Sequence, residues 1–266
     1  MSHLTRILPI AIALLTAVVV PAHAQQATQP AAQEEKEPGW WLPGEFTGGA
    51  ALTNNYVFRG ITQSDDDPAI QGSLSYTLDT GFAGTSVYGG VWGSNVDFND
   101  GDGAHVELDW TFGLGGEILD SGVNYTVGGI YYSYPSRSEY DYWEAAPALT
   151  YAPLERLTFQ GGVNYSPDFF NGSGDAWYPN GGVKIGIPIP DQLFTLTLEG
   201  YTGHQWVDDN ARFGADDYQD WKLGLSVGIK MLTLSAYYTD TNLSKSDCGG
   251  TGNCGPRAVL ALGATF

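Results

Sequence analysis

From Glu45 onward the chain is written in short stretches that alternate apolar and polar residues. In LFTLTLEGYTGHQW, Phe194, Leu196 and Leu198 lie on one parity, and Thr195, Thr197, Glu199, Tyr201 and Gln205 lie on the other. In HVELDWTFGL, Val106, Leu108, Trp110, Phe112 and Leu114 oppose His105, Glu107, Asp109 and Thr111. In DWKLGLSVGI, Trp221, Leu223, Leu225, Val227 and Ile229 oppose Asp220, Lys222 and Ser226. Side chains on a strand point alternately to its two faces, so each stretch predicts a strand with one greasy and one polar face. A helix would need apolar spacings of three and four, and no stretch after the N-terminal leader supplies them.

The pattern predicts twelve strands, with ten or fourteen as alternatives: 45–59, 68–79, 82–98, 104–119, 122–134, 141–151, 156–166, 176–188, 192–206, 218–229, 231–241 and 257–266. Within 82–98 the parity is expected to slip at Gly89-Gly90. Connectors alternate in length. DTG at 79–81, DSG at 120–122, APLE at 152–155, IPD at 189–191 and the step at Lys230–Met231 are short, and the loops between them are long. Short turns at one end and long loops at the other predict an all-β fold, an up-and-down transmembrane antiparallel β-barrel over 45–266.

A soluble β-sandwich or lipocalin-like barrel would show the same alternation with its faces reversed. Three features favour the membrane. The apolar parity carries Trp, Phe and Leu while the polar parity carries Gly, Ser and Thr, as a lipid-facing belt requires. Several strands are long for a sandwich but suit a tilted span. The last strand, PRAVLALGATF, puts Ala258, Leu260, Leu262, Ala264 and Phe266 on one face. A stripe of that kind with a final Phe266 is similar to the signal read by the barrel assembly machinery of the outer membrane.

The N-terminus supports an exported protein. Arg6, an apolar run from Ile7 to Val20 and the Ala22-His23-Ala24 site form a signal peptide over 1–24, with cleavage expected between Ala24 and Gln25. Residues 25–44, rich in Gln, Ala, Pro and Glu, read as a flexible periplasmic linker closed by Trp40 and Trp41 at a membrane interface. The formal charge of −19 becomes −20 without the leader, which takes away Arg6 alone among charged residues. So acidic a surface excludes nucleic-acid binding. Cys248 and Cys254, in an exported chain without a neighbouring His, predict a disulfide rather than a metal site.

Residues 54–77 and 81–98 carry a denser motif: Tyr56, Arg59, Gly60 and Gln63, then Pro68, Ala69, Gln71 and Gly72, then Trp92, Ser94, Asn95 and Val96. This block resembles the proteobacterial family of TorF-type porins, with Thr62 where that family has Ser as often as Thr. The resemblance implies an outer-membrane barrel and a channel, without naming a solute.

The strand parities direct Arg59, Glu107, Asp109, Glu144, Lys184, Glu199, Asp220 and Lys222 into the lumen. These charges read in two ways: a narrow aqueous path that sets ion preference, or a lumen filled by paired ions. Arg59 is expected at the end of the first strand, beneath and paired with the Asp65-Asp66-Asp67 loop; a carboxylate clamp is the alternative. The long loops are acidic, and DFNDGDG (97–103) lacks the final Glu of a calcium loop, so loose divalent bridging to lipopolysaccharide is the expectation. The net field favours cations over anions at the mouth. No cofactor is expected. Catalysis is not expected either: His105 and His204 are the mature chain's only histidines, neither in a G-x-S-x-G setting, and His204 is placed on the lipid face. GLGG (113–116) reads as a glycine-rich strand. The functional expectation is passive passage of small solutes or ions with cation preference; a non-conducting barrel with a surface role is the rival.

Overall fold

The computed structural model describes residues 43–266, apart from 100, 102, 191 and 192. The leader with its Ala24–Gln25 cleavage site, nearly all of the linker, Trp40 and Trp41, and Asp100 and Asp102 lie outside the described residues.

In chain order the strands are β1 Glu45–Thr53, β2 Val57–Phe58, β3 Ile61–Thr62, β4 Ala69–Phe82, β5 Thr85–Asn95, β6 Val106–Glu117, β7 Val123–Ser133, β8 Tyr142–Ala145, β9 Ala148–Leu154, β10 Leu157–Ser166, β11 Ala176–Ile187, β12 Thr195–Val207, β13 Tyr218–Ile229, β14 Leu232–Thr241 and β15 Arg257–Thr265. β8 and β9 are two halves of one stave, both lying between β7 and β10. They part at residues 146 and 147, where Pro147 has no N–H to give the ladder. With β2 and β3 set aside as a separate hairpin, twelve antiparallel staves form one sheet. It closes where β15 pairs with β1 from Gly49↔Thr265 to Thr53↔Ala261. Beyond that ladder, Gly48 and Phe266 exchange N–H···O bonds of 2.8 and 2.9 Å.

The wall is polar inside and apolar outside. Ile70 is 71% exposed and Leu223 and Leu260 each 58%, while Glu107 is 1% exposed and Asp109 not at all. A soluble barrel would reverse these faces, so the architecture is that of a membrane-spanning barrel. Outward aromatics line up across strands near the long-loop end: Trp110 faces Tyr131, Tyr131 faces Trp143, Tyr165 faces Trp177, and Trp177 faces Trp206. At the short-turn end Phe46 packs on Tyr76 with ring centroids 4.7 Å apart, and Phe82 and Phe266 are exposed at the same end. Such paired girdles bound the lipid-facing band of a membrane barrel.

Each of the twelve predicted strands corresponds to a stave, with shifts at some edges. The first leaves the wall at Thr53, not residue 59, because Val57 and Phe58 belong to the separate hairpin. β4 runs through 79–81 to Phe82, and its turn falls at Ala83 and Gly84, both with positive φ. β9 likewise extends to Leu154, leaving only 155–156 as the turn. The expected slip at Gly89-Gly90 does not occur: the β5–β6 ladder is unbroken from Thr85 to Asn95. Tyr88 and Trp92 therefore point inward, against the apolar-outside rule. Tyr88 has room because Gly113 and Gly128 lack a Cβ; one at either position would lie within 2.6 Å of the Tyr88 hydroxyl. One short helix, α1 Asn210–Phe213, interrupts the loop at 208–217 although the periodicity predicts none. Its N-terminal turn is capped by the Asp209 carboxylate, which accepts from the Arg212 N–H at 3.0 Å.

The outward stripe generates a prediction. Leu223→Arg, near the middle of β13, is expected to cost about 2–4 kcal/mol of folding free energy in lipid. Urea titration of the protein folded into vesicles measures it, and no loss would contradict the lipid-facing placement.

Candidate functional site

The site is built on a departure from the wall. After Thr53 the chain turns into the barrel, where β2 and β3 make the hairpin Val57–Thr62, and it returns to the wall at Ala69. Its two-residue turn is Arg59-Gly60, with φ of 46° and 80°. A tight hairpin of this twist needs positive φ at both positions, which suits Gly60 and costs free energy at Arg59. Asn55 ties the neck: its Oδ1 accepts from the Thr62 hydroxyl at 2.7 Å, and its Nδ2 donates to Asp66 Oδ1 at 2.6 Å.

The Arg59 side chain holds the tip across the lumen. Nη2 donates to both Glu144 carboxylate oxygens, at 2.8 and 2.7 Å, and Nη1 donates to Gln205 Oε1 at 2.6 Å. The guanidinium also lies 4.0 Å from the Tyr178 ring centroid. Glu144 Oε2 accepts further from the Tyr132 hydroxyl at 2.9 Å and Asn164 Nδ2 at 2.8 Å. Arg59 and Glu144 side chains are 3% and 1% exposed. One guanidinium nitrogen shared between both carboxylate oxygens, with two further bonds to Oε2, offsets part of the desolvation of the two buried ions.

This corrects the expected partner of Arg59. It pairs with Glu144 on β8, across the lumen, and not with Asp65, Asp66 or Asp67. The aspartate loop has its own cation: the Arg257 guanidinium donates to both Asp66 carboxylate oxygens. Those bonds, with the one from Asn55, hold the Asp66 carboxyl below its usual range.

The remaining inward charges form two further groups. Near the hairpin, Glu107 and Asp109 are successive inward residues of β6; Glu107 Oε1 accepts from the Tyr134 hydroxyl at 3.0 Å. Asp220 on β13 accepts from the Tyr178 hydroxyl at 2.8 Å. Toward the short-turn end, Lys222 Nζ lies 3.0 Å from Glu199 Oε1, and Lys184 is the cross-strand partner of Glu199. Between hairpin and wall lies a small open pocket, bordered by Arg59, Asn164, Tyr178, Tyr201, Asp220 and Lys222.

Above Arg59 the long-loop half of the lumen is filled by aromatic packing. Tyr132 stacks on Tyr142 with centroids 4.3 Å apart, Tyr56 packs on Trp92 at 5.2 Å, and Phe58 lies 6.2 Å from Tyr132. Of the two expectations for the lumen, filling by packed and paired side chains therefore describes its long-loop half.

Sequence reasoning missed Tyr132, Asn164, Tyr178 and Gln205 as partners of the ion pair. All four stand on inward parities, but parity names a face and cannot say which strands meet across the lumen. Cys248 and Cys254 are bonded to each other in the last long loop. His204 lies on the outer face against Trp206, opposite Gln219 in the neighbouring strand, and His105 is exposed just before β6. Asp97, in the loop compared with a calcium site, accepts from the Asn99 N–H at 2.8 Å. Among the described residues no three His, Cys, Asp or Glu side chains gather as a metal set.

The chain belongs to the family described as "Bacterial protein of unknown function (Gcw_chp)", whose model matches residues 39–266. That description assigns the family no activity, and the TorF-type likeness of residues 54–98 goes further than it does. No curated protein matches the chain in sequence. Among solved structures, an outer membrane channel from Pseudomonas putida F1 is similar with a TM-score of 0.50 at 10% identity, over 87% of this chain and 100% of that one. LpxR from Salmonella typhimurium gives 0.48 at 9% identity, over 83% and 99% of the two chains. The KdgM porin, in complex with disordered oligogalacturonate, gives 0.48 at 8% identity, over 84% and 98%. At such identities the likeness is one of fold, that of an outer-membrane barrel.

Two predictions arise here. Glu144→Gln leaves Arg59 buried beside a neutral amide and is expected to cost about 3–5 kcal/mol, part of which Arg59→Met restores in the double variant. A double-mutant cycle by urea unfolding in vesicles measures the coupling. For Asp66, a depressed native carboxyl contributes stability above its unfolded pKa of about 3.9, lost as pH falls through the native value. Arg257→Ala should therefore lower the melting temperature at neutral pH, and the difference from wild type should shrink once pH drops below about 4.

Proposed function

We propose that this protein is a porin-like channel of the bacterial outer membrane that passes small solutes or ions, with a preference for cations. The reading rests on one observation: a closed wall, apolar outside, surrounds an interior in which charged and polar side chains run from the hairpin toward the short-turn end. A barrel of twelve staves lies between the side-chain-filled eight and the open sixteen, which suits a narrow path. Five of the eight inward charges are acidic and three basic, and the long loops add Asp65, Asp67, Asp97, Asp208, Asp209, Asp216 and Asp217. An acidic entrance concentrates cations before they reach the lumen.

The same reading places the chain behind a signal peptide cleaved after Ala24, with its last strand and Phe266 presented to the assembly machinery. The short turns then face the periplasm and the acidic loops face outward, where divalent ions bridge them to lipopolysaccharide phosphates. The channel reading draws further support from the TorF-type motif of residues 54–98. The packed outer half of the lumen favours the rival, a non-conducting barrel that acts through its loops.

Single-channel recording of the refolded mature protein, with reversal potentials in an asymmetric salt gradient, separates the two. Discrete current steps with a cation-sign reversal potential are expected, and Glu107→Gln or Asp220→Asn should reduce that preference. Folded barrels that stay silent both as wild type and as Arg59→Ala would overturn the channel reading in favour of its rival.

A further inference from the structure

We infer that the hairpin Val57–Thr62 is the constriction of this channel, and that the Arg59–Glu144 pair is the lock that keeps it closed; the inference rests on the channel reading. Three observations carry it.

The first is position. The hairpin and its neck touch staves on opposite sides of the wall. Tyr56 packs on Trp92 of β5, and Phe58 faces Tyr132 of β7. Arg59 bonds to Glu144 of β8 and Gln205 of β12. Gly60 lies against Asp220 of β13 and Thr241 of β14. β7 and β14 are six staves apart in a ring of twelve, so a segment that reaches both must cross the lumen.

The second is independence from the wall. β2 and β3 pair only with each other. The ladders of β1 end at Thr53, and that of β4 begins at Ala69. The backbone bonds from residues 62–64 stay within the segment or go to neighbouring loops: Gln63 N–H donates to the Tyr56 carbonyl at 2.7 Å, Thr62 N–H donates to the Asn253 carbonyl at 3.0 Å, and the Gln63 carbonyl accepts from Asp97 N–H at 2.8 Å. The hairpin can therefore move without breaking a wall hydrogen bond, and the barrel stays closed to lipid while it does. The neck has turn residues to absorb the motion, since Asp65 and Asp66 have φ of 49° and 65°.

The third is the character of the lock. An aromatic plug alone would be held by unspecific packing. Here the tip is held by one guanidinium that satisfies a carboxylate and an amide on two different staves. A single side chain thus decides whether the tip stays docked, and the small pocket beside it is bordered by Asp220, Lys222 and Thr239 of the inner wall. Undocking joins that pocket to the long-loop mouth and opens a path for a small polar solute.

The test compares three folded proteins in planar bilayers: wild type, Arg59→Ala, and a chain with residues 57–62 replaced by Gly-Gly. Heat-modifiable gel mobility and circular dichroism establish folding for each. Replacing the hairpin should raise unitary conductance about threefold or more and admit larger uncharged solutes in liposome swelling. Arg59→Ala keeps the hairpin but loses the lock, so it should raise the fraction of time open by at least about tenfold. Arg59→Lys, which keeps the charge but loses the fork, should fall between and serves if the alanine variant does not fold. Equal conductance in wild type and the hairpin-replaced chain, with both conducting, would overturn the constriction while leaving the channel reading intact. Silence of folded wild type and Arg59→Ala alike would remove the channel reading itself, and the lock with it.

Discussion

The wall must satisfy every backbone N–H and C=O that lipid cannot. In hydrocarbon an unpaired peptide group costs several kcal/mol, so a sheet that spans the membrane has to close on itself. Here closure falls on the pairing of β15 with β1 and on the last exchange between Gly48 and Phe266. The constraint explains where irregularity is allowed. Pro147 breaks a stave, yet Ala146 N–H still reaches the Gly128 carbonyl at 2.9 Å and the Pro147 carbonyl still accepts from Val163 N–H at 3.1 Å. The ladder loses a donor it could not have had and keeps the bonds around it.

A closed wall creates a second problem inside. Polar side chains that face inward are removed from bulk water without being placed in lipid, and each must find a partner or a hydrated space. The two halves of the lumen solve this differently. In the long-loop half an aromatic cluster excludes water, and the charges that remain there are bonded: Arg59 to Glu144 and Gln205, Glu107 to Tyr134, Asp220 to Tyr178. In the short-turn half Thr197, Thr233 and Ser235 are small and polar, and Lys222 meets Glu199 at 3.0 Å. The hairpin lies at the boundary, so the fold concentrates its control of the lumen in the segment that departs from the wall.

Much of this was legible in the residues. Alternation alone located the twelve staves, and on β13 it matched both ends. The assignment of Trp, Phe and Leu to the outside held for Trp110, Phe112, Leu223 and Leu260 because each belongs to a stretch of uniform parity. It failed at Trp92, which turns inward onto Tyr56 of the inward-folded loop, and Tyr88 also points inward, into space that Gly113 and Gly128 leave free. The first strand was overextended because residues 54–59 continue a plausible alternation. Only the positive φ of Arg59 and Gly60, and the partners waiting across the barrel, reveal that the chain has turned inward. Asp65, Asp66 and Asp67 looked like the natural partners of Arg59 because they are near in sequence; the hairpin turn carries Arg59 away from them and leaves Asp66 to Arg257.

The sequence by itself determined the period, the rough positions of the staves, the alternation of short turns with long loops, and the chemical character of each face. Those properties are local, set by side chains two residues apart and by the turn chemistry between strands. Only the tertiary structure decided which strands oppose one another across the lumen, and that one loop folds into it. Those depend on closure of the sheet, which brings Arg59 and Glu144 within 2.7 Å although 85 positions separate them along the chain.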